Sequence, residues 1–210
     1  MLIYLIRHGE TRLNASGTLQ GWMDVPLNEN GIELARITGR NMRPIRFDRC
    51  ISSPLIRALD TAKIVLESSG NADVPIEIDE RIKEISCGDL EGKPMSAMNE
   101  DTSLFFRDPA NFPGFPGGES LTDVCRRTAR FLNDLTARDD GLTYLVAIHG
   151  CALRALLNPL YDDPSNFWHS KIPYNCVVNV IESVGGRPKL IVDDKLYYDE
   201  SLAVNHYKDS

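Results

Sequence analysis

The chain has 210 residues, enough for one substantial core, and 42% apolar with 25% charged residues is the composition of an ordinary globular protein. Its 30 acidic and 23 basic residues leave a net charge of −7, which argues against non-specific nucleic-acid binding and confines any anion site to a local cluster. Cys50, Cys87, Cys125, Cys151 and Cys176 are an odd set without a C-x-x-C pair, expected as reduced thiols in the cytoplasm; no run is long enough to span a membrane or to serve as a signal peptide.

Residues 2–6, LIYLI, lack polar alternation and suit a short strand buried on both faces of a parallel sheet. The strand runs straight into Arg7, His8, Gly9, Glu10 and Thr11, and the carboxyl end of a strand is where open α/β sheets place their ligand crevice. Arg7 offers a fork-shaped cation matched to phosphate oxygens, and His8 offers a nitrogen nucleophile largely neutral near pH 7. Gly9 lets backbone approach a ligand closely, while Thr11 and Asn14 add short polar side chains. Taken alone, this is equally a polar surface turn. Residues 15–26 form a loop that returns Gln20, Gly21 and Trp22 to the same end of the sheet, where Trp22 either stacks on a substrate or covers the core edge.

Asn28 is the expected N-cap of a helix that Pro44 stops. Residues 47–51 read as a second strand, and Ser52, Ser53 and Pro54 as a helix start with proline at its first position. Arg57 then falls in the first turn, where its charge opposes the helix dipole, so it either faces solvent or meets an anion. After a third strand at 76–78 comes an acid-rich run. Within it, Glu84 lies between Ile82 and Ile85, where partial burial would keep a proton available, and Glu77, Asp79, Glu80, Asp89 and Glu91 are expected in solvent. Composition alone does not single Glu84 out.

Residues 93–106 are weakly helical, and the Pro/Gly-rich stretch 108–118 suits a lid. Glu119 and Ser120 lead into a helix with a Ser120/Asp123 capping box and one apolar stripe. Residues 143–148, TYLVAI, are a buried strand ending at His149-Gly150 before another helix, which repeats the opening pattern; His149 by itself reads equally as a structural histidine. A short helix is expected at 166–168, and an antiparallel hairpin turning at Gly185-Gly186 at the sheet edge. His169 and His206 are expected at the surface, and the polar tail from Tyr197 either over the site or disordered.

Six segments, RHGETRLN (7–14), LQGWMDVPLNENG (19–31), SSPLIRALDTA (52–62), KEISCGDLEG (83–92), GGES (117–120) and HG (149–150), together resemble the histidine phosphatase superfamily, also called phosphoglycerate mutase-like. The resemblance implies a single α/β domain over 1–210, a three-layer α/β/α sandwich whose mostly parallel sheet has an antiparallel edge. It implies His8 as the nucleophile that becomes a phosphohistidine, with Arg7, Arg57 and His149 holding phosphoryl oxygens, Asn14 assisting, and Glu84 as proton donor and then base. Thr11, Gln20, Gly21 and Glu119 join the expected phosphate- and substrate-binding set. To stay neutral at its attacking nitrogen, His8 is expected to donate from its other nitrogen to a backbone carbonyl. No metal or organic cofactor is implied. The expected partner is a small phosphorylated metabolite, such as a sugar phosphate, phosphoglycerate or nucleoside-type phosphate, and a homodimer is one assembly the family offers.

Two departures set the chain apart from the cofactor-dependent mutases of that family. The segment between Glu84 and Glu119 is short of the insertion that carries their paired arginines, and the run around the acid reads EISCG where they have E-R-x-Y-G. A phosphomonoesterase is therefore expected. The alternatives are a phosphoglycerate mutase and a catalytically silent binder of phosphorylated ligands.

Overall fold

Six strands form one sheet: β1 (Leu2–Arg7), β2 (Arg49–Ser52), β3 (Ile76–Ile78), β4 (Thr143–Ile148), β5 (Val178–Val184) and β6 (Arg187–Lys195). The computed structural model describes residues 1–169 and 171–203. Strand order is β3-β2-β4-β1-β5-β6, parallel from β3 to β1, with β5 and β6 closing the edge antiparallel as the Gly185-Gly186 hairpin. The two most apolar runs, β1 and β4, are neighbours at the centre, with Leu2 opposite Thr143 and Arg7 opposite Ile148.

Both faces of those strands are buried because helices cover both sides. On one, α2 (Glu29–Asn41) and α3 (Ile56–Ser69) bring Leu34, Ala62 and Val65 against Ile6 and Leu145. On the other, α5 (Leu121–Thr136) and α6 (Gly150–Leu157) bring Val124, Phe131 and Leu153 against Ile3, Leu5 and Val146. The result is the expected three-layer sandwich. Asn28 caps α2 through Gly31 N–H at 2.8 Å, and the Ser120/Asp123 capping box opens α5.

Several local expectations are corrected. Helix α3 starts at Ile56, not at Pro54: Ser53 N–H still donates to the Ala147 carbonyl, so the chain stays extended for two residues beyond β2. Residues 166–168 form a turn, not a helix. Stretch 108–118 is not shaped as a lid. Phe112 and Phe115 are buried in an aromatic cluster with Phe105, and Asp89 N–H donates to the Pro116 carbonyl. Gly9 serves helix packing more than ligand approach, since a Cβ there would come within 2.6 Å of the Gly31 carbonyl oxygen. His169 is half-buried, its ring stacked on Tyr161 at 3.5 Å. Tyr198, in the tail, is buried beside α2 and donates to the Asn175 carbonyl; His206 lies outside the described residues. Among the described residues no helix is long and apolar enough to cross a membrane.

Candidate active site

Strand order places the carboxyl ends of β2, β4 and β1 side by side, and these three ends carry Ser53, His149 and His8. The two imidazoles lie 5.1 Å apart between centroids, tilted by 56°. His8 Nδ1 is 2.7 Å from the Gly9 carbonyl. A carbonyl only accepts, so Nδ1 carries the proton and Nε2 keeps its lone pair, as expected from the sequence. His149 Nε2 lies 2.7 Å from Ser53 Oγ, while its buried Nδ1 has no protein partner.

Burial, then the Arg57 charge, hold both histidines well below the usual imidazole range, with Arg7 adding to His8 and His8 itself to His149. The fold therefore binds neutral imidazoles, and the unfolded chain takes up the protons. Stability from this source is complete above pH ~6.5 and falls as pH drops below it, by up to ~1.4 kcal/mol per pH unit for each histidine. Between about pH 6.5 and 5, above the carboxylate range, the thermal midpoint should decline, and less steeply in His149→Asn. Equal slopes in the two proteins would show that His149 is not held neutral.

Two guanidinium groups flank His8. Arg57, fully buried in the first turn of α3, donates from Nη1 to the Met23 carbonyl and from Nη2 to the Gly21 carbonyl, both at 2.8 Å. Burial pushes its pKa down to about 10, against the pull of Glu84 and Asp24, so it stays charged at neutral pH. Arg7 donates from Nη1 to the Pro173 carbonyl. The Nε of each arginine is buried without a protein partner, an arrangement that suits an anion. Glu84 is half-buried, the partial burial expected from its place between Ile82 and Ile85, but apolar cover is not what holds its carboxylate. Its carboxylate is instead fixed by backbone N–H groups of Ile85, Cys151 and Ala152 at 3.0, 3.1 and 3.1 Å, the last two in the first turn of α6. Gly150 is not required by this contact: a Cβ there would lie at ordinary van der Waals distance from Arg7 Nε, 3.4 Å, and Glu84 Oε2, 3.7 Å.

Arg7, His8, Arg57 and Glu84 line one cavity of about 70 Å³, joined by Asn14, Gln20 and Gly21. His149, fully buried and in ring contact with His8, is not among the residues lining it. Thr11 also stands one row back, where it caps the short helix α1 (Arg12–Ala15) and donates to Gln20 Oε1 at 2.7 Å. Glu119 does not reach the cavity. It pairs with Arg127 through both carboxylate oxygens at 3.0 Å and accepts Ser86 N–H at 2.9 Å. Trp22 faces outward beneath Lys83 and donates to the Glu84 carbonyl at 2.7 Å, so it braces the acid's backbone and does not line the cavity. Glu91, expected in solvent, is half-buried because Trp22 and Cys87 N–H groups converge on it at 2.9 and 3.1 Å.

The sequence profile of the histidine phosphatase superfamily (branch 1) matches residues 3–193. The chain belongs to that superfamily. Among its relatives, a 2,3-bisphosphoglycerate-dependent phosphoglycerate mutase of Methylobacterium sp. is 38% identical over 164 residues, 74% of this chain and 78% of the relative. The solved structure of Bacillus stearothermophilus YhfR superposes with a TM-score of 0.84 at 32% identity, covering 92% of this chain and 96% of that one. A phosphoserine phosphatase of Entamoeba histolytica, solved in complex with 3-phosphoglyceric acid, superposes at 0.80 with 27% identity, covering 92% and 96%. Relatives thus carry both mutase and phosphatase names.

Sequence reasoning missed the outer wall of the cavity. Phe105 and Phe106 come from helix α4 (Glu100–Arg107), Trp168, 63 residues after Phe105, and Ile172 from a loop, and nothing local marks them as neighbours. It also missed Arg127. That residue lies two turns into an ordinary amphipathic helix, and its only signal was a position eight residues after Glu119.

Proposed function

We propose that the protein is a phosphomonoesterase that passes a phosphoryl group through His8 to water. The observation that carries this reading is the tautomer of His8: a buried, neutral imidazole on the cavity wall, its Nδ1 proton tied to Gly9, with Nε2 free to attack. Nε2 bonds to phosphorus as the ester P–O bond breaks, and Glu84 gives its proton to the departing oxygen. Water then attacks the phosphohistidine and yields its proton to the Glu84 carboxylate. The P–N bond breaks, and phosphate leaves with His8 neutral again. Charge on the three equatorial oxygens is met by Arg7 and Arg57, since phosphoryl transfer needs positioning and electrostatic stabilisation more than covalent help. A cavity of about 70 Å³ suits the transferred group alone, and the leaving group extends toward the adjoining cavity of about 460 Å³, which shares Phe106, Trp168 and Ile172 with it.

Hydrolysis is preferred over mutase chemistry because a mutase must also grip the carboxylate of the phosphoglycerate it rephosphorylates. Arg7 and Arg57 line the smaller cavity and this mechanism commits both to the phosphoryl group; Arg107 and Lys171 line the adjoining one, so the preference rests on the run around the acid, EISCG, which lacks the arginine of the mutases' E-R-x-Y-G. The mutase reading is favoured by the name of the Methylobacterium relative. Incubation with a panel of phosphomonoesters, and separately with 3-phosphoglycerate plus its bisphosphate primer, distinguishes the two. Phosphate release is expected to outpace isomer formation. Faster isomerisation would establish the mutase, and binding without either reaction would establish a silent binder.

A further inference from the structure

Glu84 stands on residues 83–87, a segment with no helix or strand of its own to hold its backbone. Its main-chain carbonyls must find donors elsewhere, and one side chain supplies them. Arg127 donates from Nη1 to the carbonyls of Arg81 and Lys83 at 2.8 and 2.5 Å, and from Nη2 to that of Glu84 at 2.8 Å. Its remaining two N–H groups go to Glu119, from Nε to Oε1 and from Nη2 to Oε2, both at 3.0 Å. All five guanidinium donors are thereby used. Glu119 completes the frame by accepting Ser86 N–H, so the pair grips the backbone on both sides of Glu84. Both side chains are more than four-fifths buried, which spares the pair most solvent screening.

From this geometry we infer that Arg127, oriented by Glu119, is a positioning residue for the proton donor: it fixes the height at which the Glu84 carboxyl stands over the leaving-group oxygen. The inference rests on the proton-transfer role proposed above for Glu84. Its signature lies in departure of the leaving group: Glu84 also serves hydrolysis of the phosphohistidine, which is common to every substrate, so the test reads kcat/KM, which closes when the leaving group departs. Arg127 touches neither His8 nor the cavity, so attack by Nε2 should not depend on it, whereas a displacement of the acid by about 1 Å can cost on the order of 10²-fold.

Three variants test it: Arg127→Lys, which keeps the charge but not the fork, Glu84→Gln, and the double variant. Each is assayed on an alkyl phosphate, whose leaving oxygen needs a proton, and on p-nitrophenyl phosphate, whose leaving group does not. Arg127→Lys is expected to lower kcat/KM on the alkyl substrate about 10²-fold and on the aryl substrate less than about threefold. The double variant should lose no more on the alkyl substrate than Glu84→Gln alone. Arg127→Gln and Glu119→Gln serve as second variants, with the same selectivity expected, should Arg127→Lys not fold. A uniform loss on both substrates in a folded Arg127 variant, or additive losses in the double variant, would reduce Arg127 to a purely structural residue and overturn the inference while Glu84 keeps its role. A uniform loss in Glu84→Gln itself would instead overturn the role of Glu84, and the inference with it.

Discussion

His8→Ala is expected to abolish turnover, with kcat falling by about 10⁴- to 10⁶-fold, the range seen when a residue of a covalent catalytic unit is deleted. The size of the effect follows from what the imidazole alone provides. Arg7, Arg57 and Glu84 can hold and polarise a phosphomonoester, but the attack on phosphorus is assigned to the Nε2 lone pair of His8, left free because its Nδ1 proton is committed to the Gly9 carbonyl. The fold should survive. His8 contributes one side-chain hydrogen bond and a contact with the His149 ring, while its main-chain N–H bond to the Ile148 carbonyl remains in the variant. A loss of ~1–3 kcal/mol would lower the midpoint by ~2–4 °C per kcal/mol in a chain of this size. Acid-labile phosphoryl label should appear on rapidly quenched wild-type protein and not on His8→Ala. Residual turnover near wild type, or label retained without His8, would move the nucleophile elsewhere.

The parts of this site that could be read from the sequence are those whose chemistry is local. An apolar strand that stops at Arg7-His8-Gly9, and a second that stops at His149-Gly150, announce strand ends at a crevice, and the parallel register of β1 with β4 brings them together. Arg57 was legible because a cation in a helix's first turn runs against the dipole. Glu119 misled for a physical reason. The same carboxylate that binds a ligand's donor binds a neighbouring guanidinium equally well, and α5 supplies one at Arg127, on the face turned toward residues 81–84. Similarly, the glycines and prolines of 108–118 suggested mobility, but the phenylalanines between them had the larger effect by joining Phe105 in the core. The wall of Phe106, Trp168 and Ile172 rests on tertiary packing between distant segments, for which no short window carries a signal.

Replacing Arg57 should change both the rate and its dependence on pH, and the two effects separate its charge from its shape. Arg57→Met removes a buried cation that faces the transferred group, with an expected loss in kcat/KM of about 10²- to 10³-fold. It also removes the charge that, after burial, does most to keep His8 and His149 deprotonated. Without that repulsion the imidazoles bind protons more readily, so their pKa values rise. The acid limb of the kcat/KM profile, which in the wild type should lie well below the ordinary imidazole value of about 6.5, should therefore move to higher pH. Arg57→Lys retains the charge but replaces the planar fork with a point donor, which is not expected to serve the carbonyls of Gly21 and Met23 together. It should lose rate with its acid limb close to that of the wild type. If both variants lose rate and neither limb moves, Arg57 acts through the loop at residues 21–23 and not through its field on the histidines. If Arg57→Met retains full activity, the phosphoryl group is stabilised without it.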